Sequence, residues 1–125
     1  MPLLNWEKAY HVDKNLNIFS SSGKAIEIPL ISAPYEKLAD WIFWHDLFKT
    51  VLEDYGLNLK EIRFIYGAGW EIKTNDLIIK IGSTINQEIY EKYQEALNYV
   101  FRKNLNPSIM DLRNLNGIAL NYAKQ

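Results

Sequence analysis

Between Leu59 and Gly82 the chain sets three short runs with alternating apolar residues, LKEIRFIY, WEIKT and LIIKIG, joined only by GAG and ND. Links this short suit reversals, so the runs are expected to form an antiparallel meander. Asn75-Asp76 reads as a two-residue hairpin turn, and the GAG glycines as a tight strand-to-strand link. Trp70, Ile72 and Thr74 share one face, as do Leu77, Ile79 and Ile81. One side of the meander is therefore mostly apolar and needs a cover.

Two helical stripes flank it and can supply that cover. Leu38, Trp41, Ile42, Leu47 or Phe48, Val51, Leu52 and Tyr55 recur every three or four residues. They predict a helix capped by Ser32, with Pro34 in its first turn, running to about Tyr55 and stopped by Gly56. Ile89, Tyr93, Leu97 or Ala96, Val100 and Phe101 predict a second helix from about Asn86 to Lys103, with Thr84 and Gln87 spaced as a capping box. Upstream, YHV, IF and AIEI, separated by DKNLN and SSSGK, read as two or three short strands between Tyr10 and Ile28. Downstream, SIMDLRNLNGIALNY reads as a terminal hairpin. Asp111 and Arg113 share a face, Gly117 permits the reversal, and Ile118, Leu120 and Tyr122 alternate with Ala119 and Asn121. The expected fold is α+β over residues 1–125 as one domain. A curved antiparallel or mixed sheet carries two helices on one face, in the order βββ-α-βββ-α-ββ.

The 125 residues are 48% hydrophobic, enough to bury a core unaided. Fourteen basic residues against fifteen acidic ones, with no block of like charge, argue against nucleic acid as a partner. The absence of cysteine removes thiol nucleophiles, Cys-based zinc sites and disulfides. No apolar run is long enough to span a bilayer, and the first residues lack a signal peptide's pattern.

The search for catalytic groups gives no constellation, so no enzyme activity, cofactor or metal is expected. His11 and His45 lie far apart in sequence without triad or metal-helix spacing, and read as structural or solvent-facing. GAGWEIK lacks the residues and the following helix of a phosphate loop. The carboxylate pairs Glu53-Asp54 and Asp40-Asp46 read as solvated helix faces. Most of the aromatic residues, 14% of the chain, fall on the apolar stripes; Trp44 and Tyr99 do not, and could mark an exposed contact surface or a small-ligand or glycan site.

PLLNW, HVDKNLNIFS, LKEI, GWEIKTNDLIIKIG and MDLRNLNGIALNY occur in that order from Pro2 to Tyr122. Together they resemble the membrane-distal β domain of the FtsQ/DivIB family of bacterial cell-division proteins. The resemblance implies a divisome scaffold rather than an enzyme. It implies a domain cut from a single-pass inner-membrane protein, with the cytoplasmic tail, transmembrane helix and POTRA domain absent and Met1 an introduced start. Its place would be the periplasmic side of the membrane at the septum. Its partners would be FtsB-like and, through them, FtsL-like proteins, bound by a strand added beside the last one. The implied contact residues are Arg113, Asn114, Asn116, Gly117, Ile118, Ala119, Leu120, Asn121 and Tyr122. Arg113 would meet an acid of the partner, although Asp111, two residues away, offers it a local one. Asn114 stands where better-known members carry Tyr. An open final edge could also pair with its own copy as a homodimer.

Overall fold

The computed structural model describes residues 2–7, 10–20 and 28–123. Four short strands come first: β1 (Leu4–Trp6), β2 (Tyr10–Val12), β3 (Ile18–Ser20) and β4 (Leu30–Ser32). Helix α1 (Tyr35–Asp54) leads to β5 (Leu59–Ile65), β6 (Gly69–Thr74) and β7 (Ile78–Gly82); α2 (Gln87–Arg102), β8 (Ile109–Asp111) and β9 (Ala119–Asn121) follow. The fold is α+β, as expected.

The nine strands among the described residues join one mixed sheet in the order β3-β2-β1-β4-β5-β6-β7-β8-β9. The meander is antiparallel, whereas β4 with β5 and β7 with β8 are parallel. Those parallel steps are where a helix intervenes, because a helical crossover returns the chain in its original direction. One row of side chains crosses the sheet in register: Trp6, Ile31, Ile62, Ile72, Ile79, Met110 and Leu120. From Ile31 to Met110 it is buried. Both helices pack on this face. Trp41 of α1 lies 5.9 Å from Trp70, and Phe48 of α1 stacks at 4.4 Å on Tyr93 of α2, whose hydroxyl donates to the Phe48 carbonyl at 2.8 Å. The opposite face carries alternating charge, Arg63, Glu71, Lys80 and Asp111 side by side.

Several local expectations are corrected. A strand at Leu4–Trp6 precedes those read from the sequence, too short to show a period. Most of the expected AIEI strand lies outside the described residues, and the strand before α1 is Leu30–Ser32. Ser32 is therefore extended and does not cap α1; Pro34 occupies the N-cap position with φ −60° and ψ 150°. The helix entry is held instead by β1 and its turn, through Trp6 Nε1 donating to the Ala33 carbonyl and the Ala33 N–H donating to Glu7. Asn86 caps α2 by accepting from the Ile89 N–H at 2.9 Å, in place of the Thr84-Gln87 box. The Asn75-Asp76 turn is formed, with Thr74 bonded to Leu77 through both backbone and hydroxyl.

Candidate functional site

Strand β9 pairs antiparallel with β8 and has no neighbour on its other side among the described residues. The Ser108 N–H donates to the Asn121 carbonyl at 2.8 Å, so the polar backbone of Asn121 points toward β8. Backbone direction alternates along a strand. The N–H and C=O of Leu120 consequently face the open side, as do those of the residues two positions away. Side chains alternate across the sheet: Leu120, opposite Met110, leans under the helices, while Ala119, opposite Asp111, lies in the charged row. Ile118 and Tyr122 are both exposed.

The polar end of this edge is a loop built on two fixings. Arg113 lies beyond the end of β8, and its guanidinium grips Asp111 with Nε at 2.9 Å and Nη2 at 2.7 Å. The Arg113 backbone N–H donates to the same carboxylate. Arg113 thus holds the Asp111 carboxyl below the usual carboxylate range, and the hydrogen bond raises Arg113 in turn. The Arg113 side chain stays 40% exposed. From the helix side, Lys92 Nζ donates to the carbonyls of Leu112 and Asn114. The loop of Asn114, Asn116 and Gly117 is exposed, and Leu115 is 98% exposed. A hollow of about 430 Å³ opens beside it, lined by Gly82, Ser83, Ile89, Arg113 and Leu115 among others.

The residues named from the sequence are therefore brought together on one edge, from the Arg113 loop to Tyr122. The regular strand, Ala119–Asn121, is shorter than the alternating run from Ile118 to Tyr122. Sequence reasoning missed Lys92 and Leu115. Lys92 carries no pattern that foretells its carbonyl partners, whereas a lone Leu in the polar run RNLNG was a readable signal.

Elsewhere the two histidines are buried. Trp41 Nε1 donates to His45 Nδ1 at 2.9 Å, and burial pushes His45 down to about 4. Trp44 is half-buried, with its ring near Phe48 and Tyr90, while Tyr99 is exposed. Among the described residues no group of three or more His, Asp or Glu could hold a metal ion, and no helix is long and apolar enough to cross a membrane.

No family model matches the chain. It is similar to the cell division protein FtsQ of Neisseria meningitidis serogroup B, at 26% identity over 124 residues, covering 98% of this chain and 53% of that protein. It is 25% identical to the FtsQ of Neisseria gonorrhoeae, again over 124 residues, covering 98% of this chain and 51% of that one. The chain spans about half the length of the curated relatives it matches. Alignment running through nearly every residue, together with the α+β fold, supports an FtsQ-family domain.

Proposed function

We propose that the chain is a non-enzymatic scaffold domain of the bacterial division machinery. It binds an FtsB-like protein, and through it an FtsL-like protein, by β-strand addition to β9, and so regulates septal cell-wall synthesis. Cell division is what its relatives are named for. The observation that carries the binding mode is the open edge, where the Leu120 N–H and C=O face away from β8. An added strand finds backbone partners there, and side-chain contacts on either face supply specificity.

Arg113 stands at the head of that edge with 40% of its side chain exposed. A guanidinium has five N–H donors, and the Asp111 contacts use two of its atoms. A carboxylate of the partner can therefore join the existing pair. Asn114, Asn116, Gly117, Ile118, Ala119, Asn121 and Tyr122 complete the proposed contact. The domain works outside the inner membrane at the septum, tethered there by the anchor of the full-length protein.

Calorimetric titration with the extracytoplasmic segment of the same organism's FtsB-like protein tests this. Saturable binding is expected for the wild type, weakened about tenfold or more by Arg113→Ala and abolished by Leu120→Pro. Pro at position 120 deletes an outward N–H and no bond to β8, so circular dichroism should show that variant folded. Unchanged affinity in a folded Leu120→Pro protein would remove β9 as the site.

A further inference from the structure

The outer face of α1 has no part in the fold or in the β9 edge, and its composition is unusual. Phe43 is 76% exposed, and Leu47, one turn later, is 46% exposed. With exposed Ala39 they form an apolar line at four-residue spacing along the helix crest. The Phe43 ring meets Trp44 edge-on, with centroids 5.5 Å apart, and otherwise faces water. A large side chain so placed adds little to stability.

The rim of this line is acidic. Asp40 and Asp46 flank it, and Glu36 and Asp54 stand at its two ends, all exposed. Besides the buried His45, the helix has only two bases. Lys37 holds its Nζ over the Phe64 ring at 4.9 Å, and half-buried Lys49 lines a hollow with Pro2 and Leu3. The last turn carries Glu53 and Asp54 and no base, although the helix dipole disfavours anions there. Beside Phe43 a hollow of about 450 Å³ runs between α1 and Ser83–Ile85 and reaches Trp44 and Trp70.

We propose that this face of α1 docks a cationic amphipathic helix of a partner protein. Apolar residues at three- and four-residue spacing would lie on Phe43 and Leu47, with one side chain in the hollow. Lysines or arginines along both margins would meet Asp40 and Asp46, and others toward the ends Glu36, which also accepts from the Tyr66 hydroxyl, and Asp54. The charge selects this occupant. An anionic membrane surface would be repelled by the same carboxylates, and a neutral glycan would leave them unused. The face lies over β5, four strand positions from β9, so both surfaces can be occupied together.

The test is an NMR titration of the isotope-labelled chain with a synthetic leucine-lysine amphipathic helix, beside a leucine-glutamate counterpart and a chitin oligosaccharide. Shifts are expected to centre on Ala39 to Thr50 for the lysine peptide alone. Affinity should fall at least about tenfold in Phe43→Ser, fall again with Asp40→Asn and Asp46→Asn combined, and weaken with salt. Because Phe43 is exposed, the Ser variant should fold, and Leu120→Pro should bind the peptide like the wild type. Shifts centred elsewhere, or equal affinity in folded Phe43→Ser, would overturn the proposal. So would an oligosaccharide response at Phe43 without a peptide response, which would make the face a glycan site.

Discussion

Gly69 and Gly82 meet backbone to backbone at the bulge between β6 and β7: a β-carbon on Gly69 would lie 2.2 Å from the Gly82 carbonyl carbon and 2.4 Å from the Ser83 nitrogen. Gly69 also sits at φ +92°. Gly69→Ala therefore meets both a backbone clash and a conformation that L residues avoid, and is expected to cost at least about 3 kcal/mol. Gly67, at φ +89° with open space around it, isolates the second effect; Gly67→Ala should cost about 1 to 2 kcal/mol. Urea unfolding of the two variants gives the comparison, and equal losses would mean that the contact at Gly82 relaxes freely.

The clasp of Arg113 on Asp111 makes a second expectation. Asp111 is held below its ordinary value, first by the Arg113 side-chain hydrogen bond. Its contribution is full above about pH 4, the unfolded value, and is lost as pH falls through the lower folded value. The pair is partly exposed, so Asp111→Asn should cost only about 0.5 to 1 kcal/mol at pH 7 and less in high salt. The same change frees Arg113 for a partner carboxylate. Tighter binding of the FtsB-like segment by Asp111→Asn is the expected result, and weaker binding would show that the clasp positions Arg113 rather than competing for it.

His45 gives the chain a sensitivity to mild acid. Burial is the main cause that pushes it down to about 4, partly opposed by nearby Asp46. An unfolded histidine titrates near 6.5, so between about pH 6.5 and 4 the unfolded state binds a proton that the folded state refuses. Stability should fall across that window by no more than about 3 kcal/mol and gain nothing from this group above it. His45→Gln keeps an acceptor for Trp41 and should flatten this part of the profile. Denaturant melts of both proteins at pH 7 and 4.5 decide it; parallel losses would assign the acid sensitivity to other groups.

Asn86 is the side-chain cap of α2, and Asn86→Ala is expected to cost about 1 kcal/mol. Thr84→Ala, which removes the residue that the spacing alone would have chosen, should be close to neutral. Thermal melts that ranked them the other way would restore the capping box.

The local periods of this chain were enough to reveal the meander from Leu59 to Gly82, the two covering helices and the terminal hairpin, because a period of two or of 3.6 is written in neighbouring residues. The order of the motifs was enough to suggest the FtsQ family and to single out Arg113 to Tyr122. Other features needed the folded chain. Strands of three residues, such as β1, are too short to show a period, and their pairing is set by neighbours far along the chain. Which atoms of Leu120 face outward follows from the register with β8, and the Lys92 contacts join groups 20 and 22 residues apart. Midway along α1 the exposed aromatic proved to be Phe43 rather than Trp44, because α2 packs Tyr90 against Trp44 and leaves the crest of the helix bare. Each of these depends on what a side chain meets after long-range packing, and that meeting has no signature in adjacent residues.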